Sequence, residues 1–154
     1  ISPMCCSKSW TWIGAVVAVL AVVTGAFGAH GVDGYFAEKY AGQTKQMAGV
    51  TVPAAQKYLR DFNTAADYQM YHGLALLAVG LLSNVRPKRS LQIAGWSFLG
   101  GVVLFSGSLY ALTLSGETKL GMITPIGGTL FIVGWVALAI GACSCGTATV
   151  ELDS

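Results

Sequence analysis

The sequence predicts an all-α integral membrane fold, a four-helix bundle with a long loop carrying a short amphipathic helix, and three observations point there. Of 154 residues, 54% are hydrophobic and 10% charged, where a soluble domain carries about 25% charged residues. The apolar residues gather in four stretches, each near the ~20 residues a helix needs to cross a hydrocarbon core. In three of those stretches small residues recur at steps of three, four or seven: Gly14, Ala18, Ala21, Gly25 and Gly28; Ser97, Gly101, Ser108 and Ala111; Gly127, Gly134, Ala137 and Gly141. Lipid gives helices no hydrophobic reason to associate, so such seams must supply close backbone approach.

The first span covers about residues 12–29, "WIGAVVAVLAVVTGAFGA". Lys8 before it has the flavour of a signal peptide, but its length and the residues retained upstream favour an anchor helix. The chain starts at Ile1 rather than Met, which suggests a processed or incomplete N-terminus. Residues 31–63 form the only long polar connection. Within it Pro53 can start a short helix, because a first helical turn has no use for the missing N–H. Ala55, Tyr58, Leu59 and Phe62 then share one face, which would lie on the membrane surface or on the bundle. Tyr58, Leu59 and Phe62 are the candidate partner-binding face. No structure is readable in the rest of that connection. The second, third and fourth spans cover about residues 64–82, 91–114 and 121–142, joined by the tight loops "SNVRPKRS" and "SGETKL". The whole chain, 1–154, reads as one domain.

The second span poses a problem. Its purely apolar part, residues 70–82, makes about 20 Å of helix, too short for a ~30 Å core. The polar residues before it must enter the membrane, and an imidazole or amide there should face inward. Tyr68 and His72 share a face at i and i+4, with Gln69 beside it. The alternating path of four helices brings the ends of spans one and three to the starts of two and four. His30, Tyr68, Gln69, His72, Ser106, Ser108, Tyr110 and Thr124 are therefore expected to form one polar layer. Interhelical hydrogen bonds that fix register are the preferred reading, since each contributes about 0.6–2 kcal/mol in a membrane. The alternative is a pocket for a quinone headgroup, a lipid, or a haem held by His30 and His72.

Other classes lack a pattern. Nine basic and seven acidic residues, net +2, are scattered without a basic stripe, so nucleic acid is not an expected partner. Cys5 with Cys6, and Cys143 with Cys145, lack zinc-ligand spacing; no metal and no cofactor is expected. No nucleophile stands with a recognisable base, and no phosphate loop or ring of intramembrane charges occurs, so no catalytic residue is assigned and the chain is not expected to be an enzyme. Arg86, Lys88 and Arg89 in one tight loop favour the cytoplasmic or matrix side for it, with all four cysteines on that side.

Four segments in order, "GAFGAHG", "YQMYHGLALLAVGLL", "FSGSLYALTLSG" and "LGMITPIGGTLFIVGWVALA", carry a resemblance to the transmembrane protein 256 family, also filed under domain of unknown function 423. It spans roughly residues 14–142. The resemblance implies a small four-helix membrane protein of bacteria and mitochondria, with no established activity or catalytic residues to carry over. The connection with "AGQTKQMAGVTVPAAQ" and the cysteine-bearing ends depart from the family's shortest members. The expected role is a non-catalytic accessory or structural subunit of a larger energy-transducing, respiratory membrane complex, contacting other membrane subunits and lipids. A mitochondrial inner membrane is preferred as the location over a bacterial inner membrane. The alternative role is binding of a quinone, lipid or haem in the polar layer.

Overall fold

The computed structural model describes residues 4–143, with side chains from Ser9 onward; Cys145 and the side chains of Cys5 and Cys6 lie outside the described residues. Helix α1 (Met4–His30) leads into the short α2 (Val32–Lys39), a hairpin of β1 (Thr44–Met47) and β2 (Val50–Pro53), and the long α3 (Ala54–Val85). The chain returns through α4 (Arg89–Gly101), a π-helical turn (Val102–Ser106) and α5 (Gly107–Ser115), then a 3-10 turn (Thr118–Met122) and α6 (Thr124–Ala142). Three of these stretches are long and apolar enough to cross a membrane among the described residues: Ser9–His30, Arg89–Ser115 and Thr118–Ala142. α3 falls short on composition because of its polar first half. It nevertheless lies along α1 for much of its length.

The connection from 31 to 63 departs from the expectation of a loop with one short helix. Pro53 does start a helix, but that helix does not stop: it continues through residues 64–82, the expected second span, 32 residues in all. Between Ala54 and His72 there is no glycine or proline, so only polarity changes, and polarity alone does not break a helix. The hairpin was unreadable because its two-residue turn is Ala48-Gly49. Both residues have positive φ, 50° and 82°, as a tight hairpin turn requires, but Asn-Gly or Asp-Gly is the usual signal. Met47 pairs with Val50 and Thr44 with Pro53, so the hairpin closes directly onto the start of α3.

Two apolar cores result. The membrane core joins Trp10 and Val17 of α1, Leu76 and Val79 of α3, Leu91 and Phe98 of α4, and Phe131 and Leu138 of α6. The second is a cap at the other end, where Val32, Phe36 and Tyr40 meet Ala54, Tyr58, Phe62 and Leu112. The candidate partner face is thereby corrected: Tyr58 and Phe62 are buried inside the chain's own cap, and Leu59 packs against them.

Helices pair as expected from their small residues, with two exceptions. Gly14, Ala21 and Gly28 are buried along α1, and Gly127, Gly134, Ala137 and Gly141 along α6, but Gly25 has nothing within 4 Å of a built Cβ and Ala111 is exposed. At the π turn the backbones themselves approach closely: a Cβ on Gly127 would clash with the backbone nitrogen of Phe105. The bundle is two helix pairs, α1 with α3 and α4 with its π turn against α6, joined mainly by α3 lying against α4 and α5. α3 and α6 barely meet, so a cleft opens between them. At the far end Lys88 Nζ donates to the carbonyl of Cys143 at 2.9 Å, which puts the basic loop and the end of α6 on one side.

Candidate functional site

Hydrogen-bond roles in the polar layer follow from what each group can do. Only a donor can face the carbonyl of Val17, so Gln69 turns Nε2 to it at 3.1 Å. Its Oε1 then accepts from the Tyr110 hydroxyl at 2.9 Å. The Tyr110 oxygen also lies 2.9 Å from the Thr24 hydroxyl, whose single proton has the Leu20 and Ala21 carbonyls as competing acceptors at 3.0 and 3.1 Å. One directed chain thus crosses α1, α3 and α5. A second link runs from Ser108 to Thr124 at 2.8 Å, with Ser108 also within 3.0 Å of the Phe105 carbonyl.

His72 belongs to neither chain. Its Nδ1 stands 2.7 Å from the Tyr68 carbonyl, and a carbonyl only accepts, so Nδ1 carries the proton. Nε2 is then free to accept from Trp135 Nε1 at 3.3 Å. The ring lies on Phe131 with centroids 3.4 Å apart and planes 7° from parallel. Both nitrogens of the neutral imidazole are engaged and one face is covered.

The eight expected layer residues therefore separate. Gln69 and Tyr110 come together, as do Ser108 and Thr124, and His72 takes the Tyr68 backbone. Tyr68 itself is partly exposed and stacks on Phe105, centroids 4.6 Å apart. Two expectations are corrected. His30 is exposed at the end of α1, because it sits about 200° around the helix from Gly28 on the buried stripe. Ser106 is buried but its hydroxyl has no hydrogen-bond partner among the described residues; it lies in the π turn, where the extra residue shifts the register on which the i, i+4 pairing with Tyr110 was based. A haem held by His30 and His72 does not fit this arrangement, since one histidine is outside and the other has both nitrogens spent. Thr24 was missed, although it is the only hydroxyl in residues 12–29, as were Phe131 and Trp135, whose role depends on packing.

If the directed chain fixes register, Gln69→Leu should cost about 1–3 kcal/mol and Tyr110→Phe about 1 kcal/mol. The double variant should lose about 0.5–1 kcal/mol less than the two changes added. Reversible unfolding in mixed detergent micelles would measure all three; strict additivity would show that the two residues do not act as a unit.

Below the layer's outer edge the cleft between α3 and α6 has a volume of about 630 Å³. Tyr68, Tyr71 and His72 line one wall, Gly128, Phe131 and Trp135 the other, and Phe105 of the π turn the floor.

Comparison with known proteins finds membrane proteins. Residues 24–128 match the family described as protein of unknown function, DUF423. The chain is 44% identical to UPF0382 membrane protein SERP0230 of Staphylococcus epidermidis over 133 residues, covering 86% of this chain and 93% of that protein. It is 39% identical to UPF0382 membrane protein YwdK of Bacillus subtilis over 136 residues, covering 88% and 96%. No solved structure matches.

Proposed function

The chain belongs to the DUF423 family of membrane proteins, and on that premise we propose that it serves as a non-catalytic structural subunit of a larger assembly in an energy-transducing, respiratory membrane. The observation that supports this reading is the cap. It is stiff: Phe36, Tyr40, Tyr58 and Phe62 interlock, with Tyr40 and Tyr58 centroids 4.3 Å apart. The Tyr40 hydroxyl donates to the buried carbonyl of Thr113 at 2.7 Å, and burial raises its pKa above the ordinary tyrosine value. On this base stands a hairpin whose strands each have one neighbour, leaving each an edge open to an extended segment of a partner. Meanwhile Gln69, Tyr110, Ser108 and His72 are tied to neighbouring helices.

The relatives named above are bacterial, and they give no support to a mitochondrial rather than a bacterial inner membrane. The proposed setting is accordingly an inner membrane of bacterial type, with the mitochondrial inner membrane as its organellar counterpart. Outward apolar faces, such as Val16, Val19, Val23 and Phe27 on α1, meet lipid or partner helices.

Gentle solubilisation of native membranes should give the protein in fixed stoichiometry within a larger particle, and recovery of the protein alone would overturn the proposal. The hairpin can be removed cleanly. Since Thr44 pairs with Pro53, deletion of residues 45–52 joins neighbouring ends and spares Ala54, which is fully buried in the cap. The deletion should reduce recovery with the assembly several-fold while the helices remain inserted.

A further inference from the structure

We infer that the cleft between α3 and α6 binds a neutral, membrane-soluble ring bearing carbonyl groups, a molecule of the quinone class. The position suits a lipid-soluble ligand. The α6 wall runs from Pro125 to Trp135, about 15 Å of helix, so the cleft passes from the cap end toward mid-membrane and opens sideways to lipid.

The chemistry of the walls narrows the class. None of the ten lining residues is Asp, Glu, Lys or Arg, so a phosphate headgroup would have no cation there. Six of the ten carry flat rings, counting His72 and excluding Pro125, and such faces suit a planar ring at offset-stacked distance. Hydrogen-bond capacity selects further. Thr129 donates to the Pro125 carbonyl at 3.0 Å and Trp135 to His72 at 3.3 Å, so both are spent. The hydroxyls of Tyr68 and Tyr71 have no partner among the described residues, and both side chains are partly open. Two unspent phenol donors beside stacked rings call for a ligand with acceptors on a flat frame, and carbonyls on a quinone ring supply them. The π turn contributes by presenting Phe105 as the floor, a use of π-bulges that recurs at ligand sites.

The cleft can be filled without disturbing the fold. A Cβ on Gly128 would meet only the Phe105 ring, at 3.9 Å, so Gly128→Leu should project into the empty volume. Purified protein in micelles, titrated with a short-chain benzoquinone, should show saturable quenching of tryptophan fluorescence. That saturable part should disappear in Gly128→Leu and in Trp135→Phe, and persist in Trp12→Phe, which changes an exposed residue on α1. Tyr71→Phe should weaken binding about fivefold, the loss of one hydrogen bond. Ile132→Phe, another lining position, provides a second plug should the leucine variant misfold. Quenching that never saturates, or that the plugs leave unchanged, would overturn the inference. So would mass spectrometry of the native protein showing a phospholipid, and no quinone, displaced by Gly128→Leu.

Discussion

Gly14→Leu is expected to separate α1 from α3, at a cost of about 3 kcal/mol or more, while Gly25→Leu one seam-length away should change stability by less than about 0.5 kcal/mol. Both glycines fall on the same sequence stripe, so the contrast isolates geometry from composition. A Cβ at Gly14 would stand 2.7 Å from the backbone nitrogen of Leu77 and 2.8 Å from the carbonyl oxygen of Gly73. Neither atom can rotate away as a side chain does, so the helices must part. Parting them exposes the contact on which α3 depends, since α3 is not apolar enough to count as a span by composition. At Gly25 nothing lies within 4 Å, and a leucine there adds apolar surface facing lipid. Detergent-induced unfolding followed by circular dichroism would compare the two; equal losses would mean that α1 packs on α3 through a different face.

Much of this architecture was legible because it depends on local rules. The small-residue stripes on α1 and α6 found the contact faces at Gly14, Ala21 and Gly28 and at Gly127, Gly134 and Gly141, but not at Gly25, since a small residue permits close approach without requiring it. The loop "SGETKL" marked the gap between α5 and α6, where Gly116 with a φ of 84° suits a helix stop, although the fourth span read from about 121 and α6 starts at Thr124. The alternating path brought Gln69 to Tyr110 and Ser108 to Thr124, as two separate links rather than one layer. What stayed hidden depends on long-range packing or on an unusual local choice. Tyr58 and Phe62 read as an outward face because their partners, Val32 and Phe36, lie in a stretch without readable periodicity. Ala48 occupies a left-handed turn position that alanine seldom takes. His72 read as a layer residue because i, i+4 spacing places it beside Tyr68, yet spacing says nothing of Phe131 and Trp135 arriving from α6.

Phe36→Ala should loosen the cap by about 3–5 kcal/mol and leave the membrane helices in place. Phe36 is fully buried, with ring centroids 5.8 Å from Tyr40, 6.5 Å from Tyr58 and 6.2 Å from Phe62. Its removal leaves a cavity among rings too constrained to collapse, the circumstance in which phenylalanine truncation costs most. The damage should be local because the cap and membrane cores have no residue in common, and local opening is set by the contacts of the unit that opens. Hydrogen exchange in α2 and the hairpin should therefore accelerate by at least about a hundredfold, while the amides of α6 keep their protection. Phe36→Leu, which keeps most of the volume, should cost about 1–1.5 kcal/mol and retain the cap. If the cap is the surface on which the assembly is built, Phe36→Ala should lose its partners as the hairpin deletion does, and Phe36→Leu should keep them. Partners retained by a protein whose cap exchanges freely would place the contact on the outward faces of the membrane helices instead.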